Sequence, residues 1–173
     1  EICKKYELND KIDQSSAIQF LHDLGLVLHF KELNQNLAEY FVLDPYWITY
    51  GVYQIVTSVE ASKRKREVLM DRLDYIVNEE KDKSITYQPR DKKMISYSTN
   101  ERRFLVDILH QFKLCFYLPY KTGFILPNLL ETREPESETQ EIRNHDKAIK
   151  FIYQYDYLPS TVLPYFMVES SNI

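Results

Sequence analysis

The chain lacks the residue patterns that several common classes of enzyme require. It has only three glycines in 173 residues, too far apart to form a glycine-rich loop that cradles phosphate. It also has no GxxxxGK[ST] motif and no GxSxG or HExxH motif. The sequence therefore predicts no nucleotide-binding site, no cofactor site and no catalytic residue in this chain.

Cysteine is equally scarce. Cys3 and Cys115 are far apart and form no CxxC pair, and the four histidines show no metal-ligand spacing. The sequence predicts neither a disulfide scaffold nor a metal site, and it suits a reducing cytoplasm. Cys115 stands in an apolar stretch, so we expect its pKa to be raised and its reactivity to be low. No run of about 18 apolar residues occurs, so no transmembrane segment is predicted.

The charge balance disfavours polyanionic partners. A net charge of −4 gives no broad positive field that would hold DNA or an anionic membrane. The basic run at 63–66, Lys-Arg-Lys-Arg, is a local exception. We interpret it as a solvated loop, with contact to phosphate, anionic lipid or an acidic protein face as the alternative.

Apolar periodicity predicts helices that alternate with short hairpins. Asp13, Ser15 and Ser16 are candidate caps for the first helix, Asp44 with Pro45 begins the second, and a capping-box pattern starts at Ser98. Helices are expected at about 14–24, 45–59, 67–80 and 101–112. Strands are expected at 26–30, 40–43, 114–117 and 124–126.

A short sequence pattern occurs twice among these elements. Leu21-His22, followed after two intervening residues by Gly25, recurs as Leu109-His110 followed after two residues by Lys113. Each unit is expected to be a helix that continues into an antiparallel pair. The sequence therefore predicts an α+β fold, a winged-helix-like domain with helices packed on short antiparallel β-hairpins.

The composition changes towards the C-terminus. Residues 131–146 are rich in Glu, Thr and Ser with almost no apolar side chain, which is typical of a linker. We predict a winged-helix-like unit at 1–131, a polar linker at 132–146 and the truncated start of another domain at 147–173. That last segment is expected to hold a strand, from the alternating aromatics at 149–157, and a short helix capped by Ser160.

Several segments resemble landmarks of one family in the same order. Residues 20–30 (FLHDLGLVLHF) and 41–48 (FVLDPYWI) resemble the COR domain, the module C-terminal of the Ras-like GTPase Roc in Roco proteins. Further on, 112–115 (FKLC), 124–130 (FILPNLL) and 155–159 (YDYLP) resemble later landmarks of that domain. The resemblance spans roughly 12–167, with 79–96 and 131–146 adding nothing to it.

The resemblance implies a non-catalytic interaction and signal-transmission module with two halves. The N-terminal half, at 1–131, would pack against the Roc GTPase in cis. The C-terminal COR half, of which 147–173 would be the truncated start, would mediate dimerisation with a second protomer. GTP and Mg²⁺ would be bound only in the adjoining Roc domain. Leucine-rich repeats and a kinase often flank the module in this family and are absent from this chain.

Four tyrosines are the candidate partner interface. Helical spacing places Tyr46, Tyr50 and Tyr53 opposite the apolar face of the second helix, so they face solvent unless a partner covers them. Ordinary surface tyrosines are the alternative. Tyr40 matches a family position that tends to face the GTPase, its alternative being a strand residue packed on its own hairpin. Trp47 is interpreted as a core residue that anchors the helix.

A winged-helix nucleic-acid-binding domain is the alternative function. Neither the helix at 45–59 nor the helix at 101–112 is a basic recognition helix, since only Arg102 and Arg103 contribute at the start of the latter. We therefore predict no nucleic-acid partner.

Overall fold

The computed structural model describes residues 5, 10–30, 37, 40–58, 67–79, 95–130, 139–140, 143–145, 149 and 151–171. The helices described in full are α1 (Lys11–Asp23), α2 (Pro45–Thr57), α3 (Thr99–Gln111) and α4 (Val162–Ser170). The strands are β1 (Leu28–His29), β2 (Phe41–Val42), β3 (Glu67–Leu69), β4 (Phe116–Tyr117) and β5 (Gly123–Ile125). The α+β class is thereby confirmed, while the winged-helix character stays a prediction.

The strands form two small antiparallel sheets. In the first, β1 pairs with β2, and Leu28 lies opposite Val42. The second has the order β3-β5-β4, so the hairpin of β4 and β5 gains β3 at its edge, with Val68 opposite Phe124. Both predicted hairpins are present, each shorter than the apolar run that signals it.

The predicted helix over about 67–80 is wrong. Glu67–Leu69 is strand β3, and the backbone N–H of Met70 continues the pairing by donating to the Thr122 carbonyl at 3.0 Å. A 3₁₀ turn at Met70–Arg72 and a π turn at Tyr75–Glu79 follow. Leu73, Ile76 and Val77 are buried, so their spacing identified the inward face. Strand pairing with β5 overrides the local helical pattern before that point.

The core lies where α2 and α3 cross beside the three-stranded sheet. Gly51 lets the two helices approach closely, since a Cβ at this position would lie 2.5 Å from Cδ1 of Leu105 and 3.0 Å from the Tyr97 ring. Fully buried side chains from the helices, the sheet and the preceding segment fill the space, among them Ile55, Leu73, Tyr97, Leu105, Leu109 and Phe124.

The caps of α2 and α3 follow the sequence signals, whereas the cap of α1 does not. Asp44 caps α2 by accepting from the backbone N–H of Tyr46 at 3.0 Å, and Ser98 forms the predicted capping box with Glu101 at the start of α3. Helix α1 begins earlier than predicted because Asp10, and not Asp13, Ser15 or Ser16, accepts from the N–H of Ile12. This helix buries no residue completely.

The sequence pattern that repeats at 21–25 and 109–113 has the same structure in both places. Helix α1 ends with Gly25 at a φ of 70°, and α3 ends with Lys113 at a φ of 59°. In both places two backbone bonds close the helix: Gly25 to His22 and Leu26 to Leu21, and equivalently Lys113 to His110 and Leu114 to Leu109. These are paired Schellman-type ends. The repeated sequence spacing therefore encodes the same turn from helix to strand.

The C-terminal segment departs from its prediction. Residues 151–157 are exposed and form no strand, although their aromatics alternate. Helix α4 follows, with Thr161 and not Ser160 at its N-cap. Its Val168 is fully buried, it packs against Pro127–Leu129, and Glu169 pairs with Lys113 at 2.9 Å. The predicted domain limits stay predictions, and the basic run 63–66 and most of the linker lie outside the described residues.

Candidate interaction surface around Tyr40

An aromatic-lined groove of about 350 Å³ lies beside Tyr40, where β2 meets the starts of α2 and α3. Each element supplies part of its wall because the chain turns from β2 directly into α2 at the Asp44 cap. The groove is lined by aromatic rings and two carboxylates, those of Tyr40, Phe41, Trp47, Phe104, Asp44 and Glu101.

Tyr40 is held in place yet accessible. Its ring lies 5.5 Å from that of Phe104, and its backbone N–H donates to the Leu37 carbonyl at 3.2 Å. The side chain is nevertheless 47% exposed, and its neighbours Phe41 and Leu43 are 46% and 62% exposed. Three large side chains within four residues, from just before β2 to just after it, thus remain open to solvent, which is a feature of contact surfaces.

Trp47 supports the groove from within. Its ring centroid lies 4.9 Å from that of Tyr97 and 6.2 Å from that of Phe104. The side chain is half-buried and packs against the core, as the sequence predicts for a residue that anchors α2. The base of the groove is therefore continuous with the core, which keeps the aromatic rings preorganised.

Tyr97 links the groove to the rest of the domain and was not identified from the sequence. Its hydroxyl donates to the Trp47 carbonyl at 2.7 Å, and Asn78 bonds both its backbone N–H and its carbonyl. Arg102 also donates to that carbonyl, at 2.7 Å. Burial raises the pKa of the Tyr97 hydroxyl, so it stays a donor. Its place before the Ser98 cap, where an apolar residue often packs on the helix, was the available signal.

The three tyrosines of α2, at 46, 50 and 53, differ in how far they are exposed to solvent. Tyr46 and Tyr50 are half-buried, their ring centroids lie 5.9 Å apart, and the hydroxyl oxygen of Tyr46 is buried. Tyr50 also packs against the core. Only Tyr53 of the three is exposed, at 47%. The expectation that all three face solvent is therefore wrong for Tyr46 and Tyr50, because the face opposite Ile48 and Ile55 is also partly covered.

The basic start of α3 is largely occupied within the domain. Arg102 pairs with Asp74 at 2.6 Å as well as with the Tyr97 carbonyl. Arg103 is exposed and contributes to a second, more polar groove with Lys121 and Asp107. Of the two arginines that a winged-helix recognition role would need, one is thus committed to holding the loop before α3 in place.

Among the residues that the structure describes, the remaining nucleophilic and titratable side chains do not gather into a reactive site. Burial raises the pKa of the Cys115 thiol to about 12, as predicted from its apolar surroundings. The pKa of the Tyr117 hydroxyl is raised too, by burial and by the 2.6 Å hydrogen bond that it donates to Asp107. No three His, Cys, Asp or Glu side chains group as metal ligands within the described ranges. None of the helices in that part of the chain is long and apolar enough to cross a membrane.

One family model and several known proteins are similar to the chain. The family model described as "C-terminal of Roc, COR-A domain" matches residues 1–130. A probable serine/threonine-protein kinase, pats1 of Dictyostelium discoideum, is 26% identical over 178 residues, covering 95% of this chain and 5% of the kinase. A Roc-COR-CHAT protease from an unknown prokaryotic organism is 26% identical over 140 residues, covering 78% of the chain and 11% of the protease.

A solved structure extends the similarity to three dimensions. Methanosarcina barkeri Roco2 RocCORdC bound to GDP superposes with a TM-score of 0.57 and 31% identity, covering 70% of this chain and 33% of that one. The chain therefore spans only a small part of each of these proteins, up to about a third of their length.

Proposed function

The chain belongs to the COR-A family, the domain C-terminal of Roc in Roco proteins, and from this premise we propose that it is a non-catalytic interaction and signal-transmission module. In this proposal it packs in cis against the Roc GTPase domain of its parent protein. GTP and Mg²⁺ are bound by that GTPase and not by this chain. Among the described residues, no cluster of metal-ligating side chains supports catalysis by the chain itself, and Cys115 is buried.

The exposed aromatic groove beside Tyr40 is the observation that carries the proposal. Its rings are anchored to the core through Phe104 and Trp47, so they are ordered before a partner binds. Preorganised aromatic side chains lose little entropy on binding and are enriched at the energetic centres of interfaces. We assign the main Roc contact to Tyr40 and a peripheral contact to Tyr53, with Tyr46 and Tyr50 supporting the helix that carries it.

Signal transmission requires that this surface bind two Roc states with different affinities. A change at the groove would pass through α2 and α3 to the C-terminal segment, where α4 packs on Pro127–Leu129. Residues 151–157 and the outer face of α4 expose many apolar side chains. We propose that the rest of the C-terminal COR half covers them and links the nucleotide state of Roc to dimerisation with a second protomer or to an effector domain.

Substitution of Tyr40 with alanine tests the proposed contact. Because the half-exposed ring contributes to the interface more than to the core, we expect the affinity of the chain for its Roc domain to fall by roughly 1–3 kcal/mol. Isothermal titration calorimetry with the Roc domain added in trans measures this change. Thermal unfolding of the variant should show an intact fold.

Tyr120→Ala is the matched control, since Tyr120 is 99% exposed and lies on the turn between β4 and β5, away from the groove lining. Its removal should leave Roc affinity unchanged. If the wild type and the Tyr40→Ala variant bind Roc with equal affinity, Tyr40 does not form the proposed contact.

A further inference from the structure

We infer that the groove beside Tyr40 receives a basic side chain, an arginine or a lysine, that the Roc domain presents. This inference rests on the proposed function and adds the chemistry of the partner. Two features of the groove lead to it: a set of aromatic faces, and two carboxylates that share the described lining with no lysine or arginine.

The aromatic faces suit the body and the charge of such a side chain. Tyr40, Trp47 and Phe104 line the groove, and the ring centroid of Phe104 lies 5.5 Å from that of Tyr40 and 6.2 Å from that of Trp47. Aromatic faces attract cations, and the long aliphatic stems of lysine and arginine pack well on apolar surface. A purely aliphatic side chain would fill the same space but would leave the carboxylates without a partner.

The two carboxylates can accept further hydrogen bonds. Oδ1 of Asp44 accepts from the N–H of Tyr46, and Oε2 of Glu101 accepts from the backbone N–H and hydroxyl of Ser98. The second oxygen of each takes part in none of these bonds. Neither carboxylate forms an ion pair in the described part of the chain, and the described lining of the groove includes no lysine or arginine. The described lining of the groove is therefore negatively charged and complementary to a cation.

The second groove of the domain shows the contrast. It is lined by Arg102, Arg103 and Lys121 together with Asp71 and Asp107, so charges of both signs are already mixed there. It offers no comparable preference for one sign of charge. Among the described residues, the charged side chains that line the groove beside Tyr40 are both carboxylates, and this favours a basic partner group.

Asp44→Asn and Glu101→Gln test the inference without removing the helix caps. Asparagine caps a helix about as well as aspartate, and glutamine preserves a capping box. Each variant should bind the Roc domain about 5- to 10-fold more weakly than the wild type, with a shallower dependence of affinity on salt. Asp71→Asn, which neutralises a carboxylate of the other groove, should leave both quantities unchanged.

The possible outcomes separate this inference from the proposed function. Weaker Roc binding by both groove variants, with the Asp71 variant unaffected, supports the basic partner group. Unchanged Roc binding by both, with loss of affinity in the Tyr40 variant, overturns the inference and leaves the proposed function standing. If Roc affinity is unchanged in the Asp44, Glu101 and Tyr40 variants alike, the inference and the proposed function both fail. If the variants abolish self-association of the chain and not Roc binding, the occupant is a second copy and the inference is wrong.

Discussion

Replacing Tyr97 with alanine is expected to lower the free energy of unfolding by about 3–5 kcal/mol, because a large buried aromatic ring is lost and a cavity remains. The ring is 1% exposed and packs against Trp47 and Gly51 at the junction of α2 and α3. The Trp47 carbonyl loses its 2.7 Å bond as well. Urea unfolding followed by circular dichroism measures the change.

Tyr97→Phe separates packing from hydrogen bonding. It keeps the ring and removes only the hydroxyl, so we expect a loss of about 0.5–1.5 kcal/mol. The backbone bonds of Tyr97 to Asn78 are preserved in both variants, which makes the two directly comparable. If the alanine variant were no less stable than the phenylalanine variant, Tyr97 would not be the packing centre that the structure indicates.

Gly123→Ala is expected to destabilise the chain by about 3 kcal/mol through steric overlap in the three-stranded sheet. Gly123 pairs with Leu69 across β3 and β5, and an added Cβ would lie 2.5 Å from the Val68 carbonyl oxygen and 3.2 Å from Cα of Leu69. Backbone atoms cannot rotate away as a side chain can. Strand β3 must therefore shift, or its pairing must be lost, and both the unfolding midpoint and amide exchange in β3 report this.

Gly25→Ala is the matched control for that substitution. Gly25 has a φ of 70° but no heavy atom within 4 Å of an added Cβ, so it isolates the cost of a left-handed backbone, about 1 kcal/mol. Gly123→Ala should be clearly more destabilising. A smaller effect at Gly123 would mean that β3 does not approach β5 as closely as described.

Local signals in the sequence were sufficient wherever the chain satisfies its own backbone. The Asp44-Pro45 start of α2, the capping box at Ser98 and the paired helix ends at Gly25 and Lys113 are encoded within a few residues. The family resemblance was confirmed by the match over residues 1–130. Such features depend on short-range hydrogen bonds, so a single sequence can specify them.

Long-range pairing could not be predicted in the same way. Strand β3 was taken for a helix because Leu69, Leu73 and Ile76 fit a helical spacing, and only the register Val68 to Phe124 explains its extended form. The aromatic alternation at 151–157 predicted a strand, yet alternation supplies no partner, and none pairs with this segment among the described residues. Pairing partners depend on the whole fold, which local periodicity does not encode.

The candidate surface was predicted in part. Tyr40 was singled out by resemblance, and the structure places it at an exposed aromatic groove. The groove is lined by residues about 60 positions apart in sequence, such as Trp47 and Phe104, so no local motif predicts it. Helical spacing placed Tyr46 and Tyr50 on a solvent face, but it does not show that neighbouring segments cover part of that face.

The most direct test of the proposed function is to measure the affinity of the chain for its Roc domain in two nucleotide states. Isothermal titration calorimetry with Roc loaded with GDP, and then with a non-hydrolysable GTP analogue, gives the two dissociation constants. A module that transmits the nucleotide state must distinguish them, and we expect a difference of about 5-fold or more. Equal dissociation constants in the two states would contradict signal transmission through this domain.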